Sequence, residues 1–584
     1  MCLLKVVLFV KGRGSDASTY RPNRDESQWW NRRDALVRCV AALLLGPTPE
    51  HRELVLLYDE DFSRMHMTYR QPESTSVSGS LVPTEQAIVA LWKRAASQDN
   101  GEKVEVNGLT CQLVISQRNT AQVSGMDSKR DVLEYLQKKC SMAFLRQHGL
   151  NTSTAVLLRK TNKKALMSVW SAWKQQETST ELHGASPEAL ELTLKELLQP
   201  DSPEVKQVVA GVLHESSENE LPCWNKEPQM MLSMQLCLFL GAVRDMTSSE
   251  NNCLQRLCSR VNIPLVKVRL GPVPEFTSKI LTVTAIHHGQ GILGPAVNAL
   301  LSTDCTRKQQ REIEALTNAA KPVPVLHFIC LVPFVSSQLS TELSDRGRAL
   351  WCLVRCTVTS LWRSRLVGHG GRNPLRNRMT LVFEDGNVLT LEQDELVKSL
   401  AEQHQAAPSE YQVLKALQDK VRAIGSASTI DWKPRALAIV NRLLVDSLPK
   451  PQHVLRVTQG DTSNLDLSRA FYTIDQENTG SIETNQCAWV LLSIGPSSST
   501  PLDRMERCIL RACRKLKLSV VERPVLASSC QDQGAATITM LQHFCYQNRL
   551  FGMLRQDDQQ LESALTEKSK KKKRKKQKET AYLA

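Results

Sequence analysis

The chain has 584 residues, 41% of them hydrophobic and 23% charged, too long for one compact core and enough for about three or four domains of ~150 residues. That balance excludes wholesale disorder. The net charge is +14, yet the segment 568–578 alone carries nine positive side chains and leaves only +5 for the rest. Such a block is a solvated arm for an anionic partner or a nuclear-import receptor, which points to the cytoplasm or nucleus.

The longest apolar run, Val325 to Val335, is shorter than the roughly 20 residues that cross a bilayer. Met1 to Val10 carries Lys5 and no small-residue cleavage site follows, so it reads as a first strand and no membrane partner is expected. The 17 cysteines are odd in number and contain no Cys-x-x-Cys. The nearest pairs, Cys253/Cys258, Cys352/Cys356 and Cys508/Cys513, lack usual zinc spacing and read as reduced core thiols.

In chain order, Lys5 to Val10 is a strand and Gly12 to Trp30 a polar loop. Asp34 to Leu45 has helical apolar spacing and stops at Gly46-Pro47. Leu54 to Tyr58 is a second strand, and Thr84 to Ala95 a helix opened by Pro83. From Ala96 to Glu177 the pattern loosens into an insertion. Its basic residues (Lys129, Arg130, Lys138, Lys139 and others) lie near Trp170 and Trp173, a pattern suited to gripping RNA or to a solvated helix face. Pro187 to Leu198 is a helix, Val208 to Leu213 a strand, Leu236 to Leu240 a strand ending at Gly241, and Ser248 to Arg260 a helix. Leu265 to Leu270 is a strand ending at Gly271-Pro272, and Phe276 to His287 a helix. Alternating strands and helices predict an α/β domain with a mostly parallel sheet, whose ligands bind at the carboxyl ends of the strands. Read alone, Gly271-Pro272 is equally an ordinary turn.

These residues resemble the TrmY family of SPOUT methyltransferases. Asn31-Arg32-Arg33-Asp34-Ala35-Leu36-Val37-Arg38-Cys39-Val40 is similar to the family's Gly-Arg-x-Asp-x-Leu-x-Arg-Cys-Val helix, and Leu81-Val82-Pro83-Thr84-Glu85 to its Leu-x-Pro-Asp-Glu. Leu213-His214-Glu215, Phe239-Leu240-Gly241 and Leu270-Gly271-Pro272 are similar to its three later loop blocks. The resemblance covers about a third of the chain. It implies a trefoil-knotted α/β domain whose loops hold S-adenosyl-L-methionine, a homodimer through the knot domain, and methylation of N1 of pseudouridine in RNA, with tRNA first and rRNA second. The cofactor positions carried over are Leu213, Gly241, Leu270, Gly271, Pro272, Val273, Pro274, Glu275 and Ile280. Arg32, Asp34 and Arg38 fall on the acceptor side as candidate catalytic residues. Gly241 and Gly271 suit close approach of a ligand to backbone, and the prolines stiffen the loop. This chain departs from the family at Ser216-Ser217 and Ala242-Val243, where Asp-Gly and Asp-His are usual.

Further on, Pro322 to Phe334 is a strand, Arg348 to Arg363 a helix, and Met379 to Phe383 with Val388 to Leu391 a hairpin turned at Asp385-Gly386. Arg355-Cys356 before this hairpin echoes Arg38-Cys39, but the spacing differs, so the sequence does not establish a repeat. Asp475 to Gln486 looks like an EF-hand calcium loop, with Asp475, Glu477, Thr479, Ser481 and Gln486 as candidate ligands. Gln486 stands where a bidentate Glu is usual, which weakens or abolishes binding. The expected organisation is a SPOUT domain in two halves (1–95 and 178–300) around an insertion (96–177). An α/β or α+β domain (320–455), a small helical EF-hand-like domain (456–550) and a basic disordered tail (556–584) would follow. A non-catalytic RNA-binding protein is the reading from a different class.

Overall fold

The computed structural model describes residues 2–19, 33–45, 51–70, 85–98, 100–115, 187–214, 217, 234–242, 245–270, 277–291, 293–301, 325–340, 343–362, 377–392, 410–422, 431–447, 451, 453–459, 472–474, 482–484, 487–494, 500–526 and 533–547. Strand β1 (Cys2–Val10) is apolar along nearly its whole length and buried from Leu4 onward. A continuous apolar run is what a strand covered on both faces requires. Strands β2 (Arg52–Tyr58), β3 (Arg64–Tyr69), β4 (Lys103–Val106), β5 (Leu109–Val114), β6 (Gln207–Leu213), β7 (Met234–Gly241) and β8 (Leu265–Val268) complete an eight-stranded sheet, in the order β4-β5-β3-β2-β1-β7-β6-β8. The run β2-β1-β7-β6-β8 is parallel, and β3, β5 and β4 extend it antiparallel.

Six helices belong to this half: α1 (Arg33–Leu44), α2 (Glu85–Ser97), α3 (Pro187–Leu197), α4 (Ser248–Arg260), α5 (Thr277–Gly289) and α6 (Leu293–Leu301). Helices α3 and α4 pack on one face of the sheet against Val7, Phe9, Val55 and Leu57. On the other face α1 and α5 pack against Leu4, Val6 and Leu8. Arg52 at the start of β2 ties those two helices together, donating to Leu43 O at 3.1 Å and Ala285 O at 2.7 Å. Leu43 O is one of the orphan carbonyls of the last turn of α1, and Ala285 O lies at the start of the last turn of α5.

The second half repeats the first. It runs β9 (Val325–Val332), α7 (Leu343–Leu361), β10 (Arg378–Phe383), β11 (Val388–Glu392), α8 (Glu410–Arg422), α9 (Trp432–Asp446), β12 (His453–Gln459), β13 (Tyr472–Ile474), β14 (Ile482–Thr484), β15 (Cys487–Ser493), α10 (Thr500–Lys515), β16 (Ser519–Leu526) and α11 (Gln533–Gln547). Its six-stranded sheet has the order β11-β10-β9-β15-β12-β16, the same path as β3-β2-β1-β7-β6-β8, with the first pair antiparallel and the rest parallel in both.

The correspondence reaches single hydrogen bonds. Ala242 N donates to Phe9 O, as Ile494 N does to Leu331 O. Gly14 N, opening a short 3-10 turn after β1, donates to Ser63 Oγ, as Ser336 N does to Asp385 Oδ2. Asn377 stands for Arg52, donating to Ser360 O at the end of α7. The quartet Leu36-Val37-Arg38-Cys39 of α1 recurs unchanged as Leu353-Val354-Arg355-Cys356 of α7.

The two halves share one core. Buried residues of α1, α5, α7 and α11 and the inner faces of both sheets form a single apolar cluster. Helix α5 meets α11: Lys279 Nζ donates to Gln542 Oε1 at 2.7 Å and Trp362 O at 2.9 Å, and the His287 and His543 rings lie 6.0 Å apart.

The α/β class is as the alternation of strands and helices predicts, with two mostly parallel sheets. Three readings need correction. The sheet continues past residue 96 into β4 and β5, an antiparallel hairpin turned at Asn107-Gly108, so the segment expected to be an insertion from 96 begins as part of the sheet. The boundary expected between 455 and 456 falls inside β12, a strand of the same sheet as β9 and β15, so 320–455 and 456–526 build one sheet. Finally, Tyr472–Ile474 is an antiparallel strand paired with Ile482–Thr484, where an EF-hand would have the end of its entering helix. Among the described residues, no helix is long and apolar enough to cross a membrane.

Candidate functional site

In the first half the chain leaves β1 toward β2 on one side, while β7, β6 and β8 lie on the other. The order therefore reverses between β1 and β7, and a crevice opens outside the carboxyl ends of strands at such a point. Gly241 ends β7 there, paired in register with Phe9. Leu213 ends β6 and is in register with Val268 of β8, two residues before Leu270. Leu213 and Leu270 are both buried, and Gly241 is half-exposed. Three residues named from the sequence thus meet at the ends of adjoining strands. His214 N donates to Val268 O at 2.9 Å and holds the ends of β6 and β8 together.

Thr277, the first residue of α5, was not singled out by sequence. Its hydroxyl lies 3.0 Å from Gly241 O and 2.8 Å from Ala242 O, so the start of α5 is moored to the end of β7. Ile280, one turn further, is half-buried against the core. Gly271, Pro272, Val273, Pro274 and Glu275 lie outside the described residues.

Helix α1 follows β1, so its N-terminal turn lies at the same carboxyl edge. Arg38 is buried at 6% exposure, and its counterpart Arg355 at 5%. Arg355 stacks on Trp351, 4.8 Å from the ring centroid. Asp34 lies one turn before Arg38 on the same helix, Arg32 is outside the described residues, and nothing is described of the Asp34 side chain. The turn after β2 braces the other side of the edge: Asp59 Oδ1 accepts from Gly12 N at 2.9 Å, and Glu60 pairs with Arg13 at 3.1 Å.

The charges clustered around Lys5 are structural. Lys5 is buried between Asp201 (2.5 Å) and Glu53 (3.3 Å), and Glu53 also meets His66 at 2.6 Å. Burial alone would push the Lys5 ammonium down, but Glu53 and Asp201 together raise it. Burial likewise opposes ionisation of Glu53, yet His66 and Lys5 hold its carboxyl below the usual range. Burial pushes the Cys111 and Cys237 thiols up to about 12, which leaves them protonated and unreactive.

The candidate calcium ligands Asp475, Glu477, Thr479, Ser481 and Gln486 lie outside the described residues. Among the described residues no group of three or more His, Cys, Asp or Glu is placed to hold a metal.

No family model and no curated protein matches the chain. Solved structures it was matched to include proximal thread matrix protein 1 from the mussel byssus, 9% identical, covering 93% of this chain and 96% of that one at a TM-score of 0.16. Another is the phosphofructokinase of Pichia pastoris, 10% identical, covering 93% and 71% at a TM-score of 0.13. At those scores neither likeness bears on fold or function.

Proposed function

We propose that the first half is an S-adenosylmethionine-dependent RNA methyltransferase of the TrmY-like kind, acting on N1 of pseudouridine, with tRNA the first substrate to test and rRNA the second. The observation that carries the reading is the meeting of Leu213, Gly241 and Leu270 at the switch point of a parallel sheet, with α1 starting at the same edge. The residues fit the cofactor. Leu213 and Leu270 offer a buried apolar floor for adenine, and the half-exposed Gly241, on the strand next to that of Leu213, leaves room for ligand against the main chain. The bound cofactor supplies an electrophilic methyl group.

The chain's own residues do the rest. Thr277 fixes the end of β7 relative to the start of α5. N1 of pseudouridine must lose a proton as it is methylated, so the protein's task is alignment and charge stabilisation. Arg38 would neutralise the developing anion or a phosphate, and Asp34, four residues before it, would orient the base or the arginine. In this reading the homodimer implied by the resemblance is replaced by the pair of halves within one chain, because α11 already covers α5. The departures at Ser216-Ser217 and Ala242-Val243 favour a second reading, an RNA-binding knot without chemistry.

The test is paired. Gly241→Val should lower S-adenosylmethionine affinity in calorimetry by about 10²-fold or more, since its side chain fills the floor. Ser493→Val, at the matching position of the second half, should leave it unchanged. Asp34→Asn should keep cofactor affinity but slow single-turnover methylation of a pseudouridine hairpin by about 10²-fold or more. Binding of the RNA hairpin with no cofactor binding by the unaltered chain would favour the second reading, and binding of neither would sink both.

A further inference from the structure

The repeat supplies an internal control for every position in the second half. Helix α10 aligns with α4 through Cys253/Cys508, Leu254/Ile509, Leu257/Ala512 and Cys258/Cys513, all on the face toward the sheet except the half-buried Cys508. Outside that face the copies diverge. Ser249, Asn252, Ser259 and Asn262 of the first half become Arg504, Arg507, Arg514 and Lys517, while Arg256 and Arg260 become Arg511 and Lys515. Four uncharged positions have become cationic on an unchanged backbone frame, and all six cations are exposed.

At about 100° per residue, Arg504, Arg507, Arg511, Arg514 and Lys515 share an arc of roughly 100° and run about 15 Å along the helix. Of the carboxylates nearby, the exposed Asp503 flanks the arc one turn before Arg507, while Glu506 and Glu522 are engaged by Arg456. Glu506 takes both Arg456 Nε (2.8 Å) and Nη2 (3.2 Å), and Glu522 lies 3.2 Å from Arg456 but 3.9 Å from Arg514. Among the described residues Arg504 and Arg511 have no carboxylate partner. Like charges three and four residues apart destabilise a helix by about 0.2–0.5 kcal/mol per pair. The first copy shows that this helix folds without them, so the ladder is not there for stability.

We propose that the exposed face of α10 binds the phosphate backbone of RNA. Guanidinium groups suit phosphate through paired hydrogen bonds, and a linear ladder suits a linear polyanion. A bilayer is disfavoured because the apolar face of α10 is buried in the core and has nothing to insert. The choice of RNA over another phosphate polymer rests on the methyltransferase reading; the choice of a phosphate backbone does not. The face would hold RNA by the second half while the first half works on it, a division of labour between two copies of one unit.

The experiment uses the full chain and a labelled RNA hairpin titrated across a salt series. The triple variant Arg504→Ser/Arg507→Asn/Arg514→Ser installs the first copy's own residues and so is expected to fold. The dissociation constant should rise about tenfold or more at low salt, and the slope of log K against log salt should fall by about two to three, at 0.7–0.9 per phosphate contact. The Arg→Lys triple should keep the slope. Affinity within twofold of the unaltered chain, with an unchanged slope, would overturn the proposal, as would tighter binding to anionic lipid vesicles than to the hairpin. Calorimetry with S-adenosylmethionine separates the two claims. Weakened RNA binding in a chain that binds no cofactor would leave this face standing while the methyltransferase reading falls. Intact cofactor binding with unaltered RNA affinity would do the reverse.

Discussion

The two halves keep the same inner parts and differ in their outer ones. Facing the shared core, α1 and α7 carry the same Leu-Val-Arg-Cys, and α5 and α11 keep Thr282, Thr284 and His288 as Thr537, Thr539 and His543. Thr284 and Thr539 even make the same hydroxyl bond to the carbonyl one turn back. At the strand ends and outer helices the copies part: Gly241 becomes Ser493, Leu213 becomes Val457, and the neutral face of α4 becomes the arginine face of α10. Shared burial constrains the inner helices, because each packs on its own sheet and on the other half. Nothing in the packing constrains the outer positions, which are therefore free to specialise.

The largest effect on this pairing should come from its tightest contact. A Cβ placed on Gly534 would lie 2.5 Å from Cys356 Sγ, within the core where α7 and α11 cross. Gly534→Val should therefore cost about 1–3 kcal/mol, in the range of overpacked cores, seen as a lower midpoint in urea. The double variant Gly534→Val/Cys356→Ala should recover a good part of it. If the single variant is as stable as the unaltered chain, the halves are not tightly docked here.

Acid should loosen the same seam. Burial lowers His287 to about 4 and His543 to about 3, with the neighbouring imidazole adding to the latter. Burial likewise lowers His288 to about 4, aided by Arg52, whose Nε donates to its Nδ1 at 3.2 Å. In the unfolded chain these rings take up protons near 6.5, so between pH 6.5 and 4 the unfolded state binds more protons and stability falls with pH. Each such histidine adds up to ~1.4 kcal/mol per pH unit to the slope. His287→Gln, which installs the residue found at the matching position 542, should remove about one proton's worth of that slope. An unchanged acid slope would mean that His287 titrates normally and that water reaches the seam.

What the sequence disclosed follows from the same layering. Helix α4 is an outer helix with one apolar and one polar face, and its periodicity places it at Ser248 to Arg260, as the structure does. Helix α11 is buried at every position from Ala535 to His543, so it offers no polar face to mark a helical period. The strand ends were legible as Gly and Leu before turns, but the mooring by Thr277 was not, because a threonine opening a helix is ordinary in sequence. The repeat is legible in the matched spacing of Cys253/Cys258 and Cys508/Cys513 and in the pair Arg38-Cys39 and Arg355-Cys356. Different lengths of chain between α1 and β2 and between α7 and β10 obscured the rest.

The smallest effect concerns how α4 and α10 end. Leu518 N donates to Cys513 O and Lys517 N to Arg514 O, two bonds that wrap the last turn of α10 around a left-handed residue; Ile263 N donates to Cys258 O in the same way after α4. The left-handed residue is Lys517 (φ 63°) in one copy and Asn262 (φ 55°) in the other. Glycine is preferred at this position because it has no Cβ to crowd the carbonyl, asparagine tolerates it, and a long side chain gains nothing from it. Lys517→Gly should therefore stabilise the chain by about 0.5–1 kcal/mol, Lys517→Asn by less, and Asn262→Lys should destabilise it by a similar amount, all read from urea midpoints. The same Lys517→Gly variant loses one exposed cation just past the end of α10, so its RNA affinity should drop slightly while its stability rises. Opposite signs in one variant distinguish a lysine kept for its charge from one kept for the fold; a fall in both would mean that Lys517 supports the turn through a contact that asparagine also makes.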